Sequence, residues 1–504
     1  MATSTSRWYA LAALAVSTLA IGLDTTVLSV ALPTLARDLH ASTGDLQWFT
    51  TAYLLVLAAV LLPAGMLGDR LGRKRMLIAA LAVFGAASLA CSYAQTAGQL
   101  VAARAVLGLG AAVVMALSGA VLTVLFDRTE RARAMAVWVT ASALGIPLGP
   151  LLGGWLLDNF WWGAVFLINV PVVLLGIVAL TVWMPESYGD RTRRLDPLGI
   201  VLSATGLVAV TYGIIEAGGR GWTDLRSLAT IAAGVVLLAG FVLWQRRAAA
   251  PLLDLDLFRS RAFTWAGVLA TVASFALLGL LFSLPQYFSA IGGHDAFGSG
   301  LRLLPVIGGL VVGARVAERL LRRVGARPVI STGLALLTLA SFTGAFTERS
   351  SGYGFIAVWV TLTGLGLGLT LPAAMDTALS ALTPERSGVG NALLQAMRQV
   401  GGAIGVAVLG TVLNAGYRDR LPGQAPGAAR DSVSAGVAVA DRLGDPALLD
   451  AVRSAFVHGM DLSLIAAGSI ALVGTVLALI FMPGRTAGPP VLETPAPVLA
   501  ESGL

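Results

Sequence analysis

The sequence predicts an all-α membrane protein of 14 transmembrane helices, arranged as two six-helix pseudo-symmetric halves plus two inserted helices. Three observations predict it. Of 504 residues, 57% are hydrophobic and 12% charged, with a mean hydropathy of +0.82, whereas a soluble domain is roughly 25% charged. Fourteen apolar runs approach the ~20 residues that a bilayer crossing needs. Short patterns also recur between the two ends of the chain at a nearly constant offset.

The runs are 8–34, 46–67, 76–95, 98–125, 134–157, 164–184, 197–216, 226–245, 262–291, 298–320, 327–347, 353–375, 389–415 and 456–482. The first contains Asp24 and Pro33, is long and lacks a small-residue cleavage site, so it reads as a span and not as a cleaved leader. The segments between runs alternate in charge. With the N-terminus inside, the cytoplasmic segments hold 21 of the 34 basic residues, among them Arg70, Arg73, Lys74 and Arg75 after span 2. The short outer loops hold five: Arg37, Arg220, Arg226, Arg302 and Arg349. Positive charge collects on the cytoplasmic side of membrane proteins, so the bias predicts an even span number, both termini cytoplasmic, and a multi-pass protein of the cell membrane.

Asp69-Arg70-Leu71-Gly72-Arg73-Lys74 follows span 2, and Arg322-Arg323-Val324-Gly325-Ala326-Arg327 follows span 10, at an offset of 253. Glu130-Arg131 and Glu385-Arg386 differ by 255, and Gly145 and Gly149 match Gly401 and Gly405 at 256. The expected organisation is an N-terminal half at 1–190, inserted spans 7–8 at 191–250, and a C-terminal half at 251–484 with a large outer loop at 416–455. A disordered cytoplasmic tail at 485–504 completes it. The loop is expected to hold amphipathic helices at about 428–443 and 446–457. Two such halves around an axis normal to the membrane are a transporter architecture with the path between them.

Other functions are excluded by composition. Cys91 is the one cysteine, and His40, His294 and His458 are far apart, which leaves no metal motif. Lys74 is the one lysine and sits in no Gly-Lys-Ser/Thr loop, so ATP is not expected as a ligand. The net charge of +7 is spread between apolar runs and not gathered on a polar nucleic-acid-binding face. Neither an enzyme nor a bound cofactor is expected. Within the spans, Asp24 and Arg104 stand out, because an ionised group at a helix centre costs about 2.5–3.5 kcal/mol and usually serves function. Asp24 can exchange a proton; Arg104 stays charged. Asp376 at the end of span 12 and Arg398 in span 13 are a possible pair. Glu216 ends span 7, at the outer headgroups. Tyr53, Trp138 and Phe282 are candidates for an apolar substrate cavity, whose ring faces would favour a cation.

Several motifs resemble the major facilitator superfamily. Gly65-Met66-Leu67-Gly68-Asp69-Arg70-Leu71-Gly72-Arg73-Lys74-Arg75 resembles its signature loop, and Leu100-x-x-x-Arg104-x-x-x-Gly108 its span-4 motif. Gly145-x-x-x-Gly149-Pro150-x-x-Gly153-Gly154 resembles the span-5 motif of its antiporters. Leu23-Asp24-Thr25-Thr26-Val27-Leu28-Ser29-Val30-Ala31-Leu32-Pro33 resembles the span-1 signature of its fourteen-span drug:proton antiporters, and Phe166-Leu167-Ile168-Asn169-Val170-Pro171 fits the same group. Ser29 stands where Asn is commoner, and Arg322 where an acid often sits.

The resemblance implies a monomeric, proton-coupled antiporter exporting lipophilic, often cationic drugs or antibiotics by alternating access, driven by the proton gradient without a cofactor. It implies proton coupling through Asp24 and Arg104, and a conformational latch of Gly65, Asp69, Arg70, Gly72 and Arg73. It also implies a close-packed antiporter helix of Gly145, Pro147, Gly149, Pro150, Gly153 and Gly154. The competing expectations are a dedicated exporter of one metabolite, such as a self-made antibiotic, and a non-transporting membrane sensor or scaffold.

Overall fold

The computed structural model describes residues 4–126, 128–189, 196–248, 251–253, 255–382 and 384–483; the expected tail lies outside them. Among the described residues there is no strand. The helices are α1 (Ser4–Asp38), α2 (Thr43–Leu71), α3 (Arg73–Ser92), α4 (Ala97–Leu125), α5 (Arg128–Asn159), α6 (Ala164–Leu167), α7 (Asn169–Trp183), α8 (Pro197–Arg220) and α9 (Leu225–Gln245). The second part holds α10 (Arg261–Ala290), α11 (Ala296–Arg302), α12 (Leu304–Val324), α13 (Ala326–Gly344), α14 (Tyr353–Ser380), α15 (Pro384–Arg420), α16 (Val433–Leu443) and α17 (Pro446–Phe481).

Thirteen segments are long and apolar enough to cross a membrane. The remaining run, 134–157, lies within α5, a continuous 32-residue helix several of whose side chains are outside the described set. Two expected spans are each built from two helices, α6 with α7 and α11 with α12. A proline follows each break: Pro171 cannot donate to the Leu167 carbonyl, nor Pro305 to that of Leu301, so the ladder restarts. The outer loop departs from expectation. α16 is a separate helix, but the expected helix at 446–457 is the first part of α17, which runs unbroken for 36 residues. Pro446 opens it, and Asp445 caps its Ala447 and Leu448 N–H groups.

Capping fixes the starts of other helices. Ser42 and Asp45 form a reciprocal capping box on α2. Asp196 accepts from Gly199 N–H of α8 at 2.8 Å, and from Trp244 Nε1 at 2.9 Å and Gln245 Nε2 at 2.6 Å at the end of α9. Burial pushes this carboxyl up, but the three donors outweigh it and hold Asp196 below the ordinary carboxylate range.

One hydrophobic core gathers residues from Ala10 to Met184, joined by Phe282, Ala396, Ala403 and Val406 of the second part. The other gathers Leu257 to Met482, joined by Val30 of α1. α8 and α9 give no buried residue to either; they pack on each other, with α8 lying against α2 and α15. We call the face at the start of α1 the near face and the opposite one the distal face.

Candidate functional site

α1 and α4 bring Asp24 and Arg104 together, 2% and 1% exposed. Arg104 Nη1 donates to Asp24 Oδ2 at 2.5 Å. Arg104 Nε donates to the Phe49 carbonyl at 2.9 Å, and its guanidinium lies 4.5 Å from the Tyr53 ring centre. The other carboxylate oxygen accepts from Asn169 Nδ2 at 3.3 Å; that amide also reaches Ser88 Oγ at 3.1 Å, whose hydroxyl donates to the Phe166 carbonyl at 2.8 Å. Five elements thus converge on one carboxylate. Arg104 sits seven residues into α4, two turns deep. A buried ion pair of this kind recovers its desolvation cost only through such geometry, and removing one partner costs about 3–5 kcal/mol. Adding a proton to Asp24 cancels one charge of the pair and leaves Arg104 without its counter-ion; withdrawing it restores the pair.

Asn169 was not singled out among the site residues by the sequence. Its signal was one amide in an apolar run. The Phe49 carbonyl carries no signal, because any residue supplies one.

The α2–α3 turn is clamped within its own half. Gly72 has φ +108°, a conformation that L side chains rarely adopt. Asp69 Oδ1 pairs with Arg73 Nη2 at 2.7 Å, so its partner is the arginine of its own turn. Glu186, also not singled out by the sequence, accepts from Lys74 N–H at 2.9 Å and Arg75 N–H at 3.3 Å, placing an anion at the positive end of α3. Arg73 N–H donates to Ser187 O, and Gly189 N–H to Asp69 O, both at 2.9 Å. Arg70 is exposed. Close packing at Gly65 is not found: a side chain there would meet open space, while Gly68 lies against Leu117 of α4.

α5 packs two ways. A Cβ on Gly145 would stand 2.8 Å from the Gly22 carbonyl carbon of α1; Gly149 and Gly153 lie against Thr26 and Val27 of the same helix. Gly154 faces α11 instead, where a Cβ would stand 2.6 Å from Phe297 Cα, and Pro150 faces Gly300. The side chain of Pro147 lies outside those described. Hydrogen bonds join the two parts toward the distal face. Asp158 of α5 accepts from Ala296 and Phe297 N–H at 3.2 and 2.9 Å. Gln47 Nε2 of α2 donates to Ala407 O of α15 at 2.8 Å, and Thr43 N–H to Asp431 O of the loop before α16 at 2.8 Å.

The expected cavity residues are not gathered around one open space. Tyr53 is fully buried over Arg104, and Phe282 is 2% exposed in the first core, so neither faces a free cavity here. Trp138 is half-buried against that core. Asp376 is exposed, and Arg398 donates to Gln395 Oε1 at 2.8 Å and Ser274 Oγ at 3.4 Å; among the described residues the possible pair is not formed. Glu216 pairs with Arg220 on α8 at 2.5 Å.

The family model of the Major Facilitator Superfamily matches residues 14–406. The tetracenomycin C resistance and export protein of Streptomyces glaucescens is 35% identical over 490 residues, covering 94% of this chain and 91% of that protein. The multidrug efflux pump LfrA of Mycolicibacterium smegmatis is 34% identical, with 94% and 96% covered. The methyl viologen resistance protein SmvA of Salmonella typhimurium is 32% identical, with 93% and 96% covered. Among solved structures, an inward-facing bacterial homologue of the human lysosomal transporter Spinster aligns over 95% of this chain and 98% of its own, with TM-score 0.67 and 16% identity. A D-xylose-proton symporter aligns over 94% and 98%, with TM-score 0.63 and 14% identity.

Proposed function

The chain belongs to the major facilitator superfamily, and from that premise we propose that it is a proton-coupled antiporter exporting lipophilic, often cationic drugs across the cell membrane by alternating access. The carrying observation is the buried Asp24–Arg104 pair, whose charge balance changes with one proton. The names of the relatives, an antibiotic export protein, a multidrug efflux pump and a viologen resistance protein, support drug export and a cationic substrate class.

On this reading the distal face is external and the near face cytoplasmic. The distal contacts of Asp158, Gln47 and Thr43 hold the outer side shut while substrate enters from the cytoplasm. Loss of the proton from Asp24 re-forms the ion pair and accompanies this state. Protonation from outside releases Arg104, loosens the α1–α4 contact and favours substrate release. The glycine face of α5 lets it pack against α1 and α11 together, which suits a helix that transmits rocking between the halves. One charge crossing the membrane supplies about 2.3 kcal/mol per 100 mV. Ethidium efflux from cells, with and without an uncoupler, tests the reading: uncoupler-sensitive efflux is expected, and efflux indifferent to the uncoupler overturns it.

A further inference from the structure

A funnel of about 640 Å³ opens on the distal face within the second half, away from Asp24. The end of α10, the α13–α14 turn and α17 wall it, and Asp461 of α17 belongs to its lining. Asp461 lies fifteen residues into the 36-residue α17, about one turn into its apolar run from the distal end, and is half-buried. Its Oδ1 is buried and has no hydrogen-bond donor.

The charged groups around it are engaged elsewhere. Arg349 Nη2 pairs with Asp450 at 2.6 Å, and Arg453 Nε donates to the Ala290 carbonyl at 3.0 Å. Glu348 Oε2 accepts from Ser350 at 3.3 Å. The Tyr287 hydroxyl of α10 donates to the Glu348 carbonyl at 3.3 Å. On the remaining packed elements, Tyr417 of α15 donates to Ala429 O at 2.6 Å, Asp441 of α16 is itself an acid, and among the described residues neither His458 of α17 nor Arg442 of α16 pairs with Asp461. Among the described residues no ion pair compensates an ionised carboxylate here, and its Oδ1 is shielded from water. A proton removes that charge.

One turn deeper, α10, α13, α14, α15 and α17 enclose a cavity of about 10 Å³, the scale of a single water. Ser283, Ser341, Thr363 and Ser463 bring hydroxyls to it. On α17, Leu464 and Ala467 continue the stripe of Val457 and Asp461, so the cavity lies directly beneath the funnel floor. The funnel above it opens to the distal side.

We infer that Asp461 is a second proton-binding carboxyl, in equilibrium with the distal solution through this funnel and independent of Asp24. The funnel is open while Asp158, Gln47 and Thr43 join the halves on the same face. Loading of Asp461 therefore does not require the central path to open outward, and the site reads external acidity in the inward-facing state. The inference rests on the proposed reading only in taking the distal face as external.

The test is labelling by a hydrophobic carbodiimide, which modifies protonated carboxyls, added to right-side-out vesicles across a pH series. Mass spectrometry reports each aspartate, so the readout needs no transport. Asp461 is expected to label at acidic and neutral pH, with labelling lost at alkaline pH and unchanged in Asp24→Asn. Purified Asp461→Asn is expected to bind one proton fewer than the unaltered protein over the same range, and Asp461→Glu to restore it, which separates proton loss from misfolding. Labelling absent at every pH, labelling indifferent to pH, or unchanged proton uptake in folded Asp461→Asn overturns the inference. Uncoupler-insensitive efflux with pH-dependent Asp461 labelling would overturn the antiport reading and leave this site standing.

Discussion

Removing the Asp158 carboxylate should open the distal face. In α11, the N–H groups of Ala296 and Phe297 find their acceptor in Asp158 of the other half, while Gly298 N–H uses Asp295 of its own at 2.7 Å. Asp158→Ala leaves two helix-start donors to water. The carboxylate is exposed, so its hydrogen bonds are weaker than buried charged ones. Loss of a helix cap typically costs about 1 kcal/mol, with a range of about 0.5–2. Because the contact bridges the halves, that loss falls on the distally closed state alone and shifts the equilibrium by the same amount. About 0.5–2 kcal/mol is about a two- to thirty-fold change in state ratio, with the lower end expected for an exposed carboxylate. Spin-label distances between the distal ends of α5 and α11 read it directly. A longer-distance population growing by that factor is expected; an unchanged distribution in a folded variant would refute the assignment of Asp158 as a distal clamp.

Asp24→Asn keeps an oxygen for Arg104 but removes its counter-charge, and the folded fraction of the variant should lose uncoupler-sensitive efflux; unaltered proton-driven efflux in vesicles would contradict the coupling role. Gly72→Ala forces a side chain into φ +108° and toward Glu186, and should lower the melting temperature with a cost of about 1–2 kcal/mol; a melting temperature equal to the unaltered protein's would argue against a clamped turn. Asp69→Asn weakens the Arg73 pair and should reduce transport while leaving substrate binding from the near face, measured on the same purified sample; equal loss of both, or of neither, removes the latch. Asp196 is held below the ordinary carboxylate range, so its contribution is complete above about pH 4 and is lost as the pH falls through its folded value. Protection of the α8–α9 ends against hydrogen exchange, taken relative to the intrinsic amide rate at each pH, should therefore fall on acidification below about pH 4, and in Asp196→Ala already at neutral pH.

The spans were legible because the bilayer sets one length and one polarity, and among the described residues thirteen of the fourteen expected runs lie in helices that meet both. The splits near Ile168 and Leu303 were legible in principle from Pro171 and Pro305. The extent of α17 was not: residues 446–457 have the charge of a loop helix, yet nothing in the sequence ends that helix before the apolar run begins. In the site, Asp24 and Arg104 were legible because each is costly in an apolar span. Asn169, Glu186 and Asp158 were not, since one amide or one acid at a helix end is common and its meaning depends on which helix lies opposite. The surroundings of Tyr53 and Phe282 were not legible for a related reason: an aromatic in a span has the same sequence signature over an arginine or inside a core as it has in a cavity. Asp376 and Arg398 have opposite charges, but the reach of the guanidinium to Gln395, three residues away on its own helix, decides the partner.

The most direct measurement is substrate-induced proton release from the purified protein in weakly buffered detergent, followed with a pH dye as ethidium is added. If substrate and proton compete through the Asp24–Arg104 pair, the unaltered protein acidifies the solution on binding and Asp24→Asn binds ethidium with that release lost. Binding without proton release by the unaltered protein, or equal release by the variant, would contradict the account.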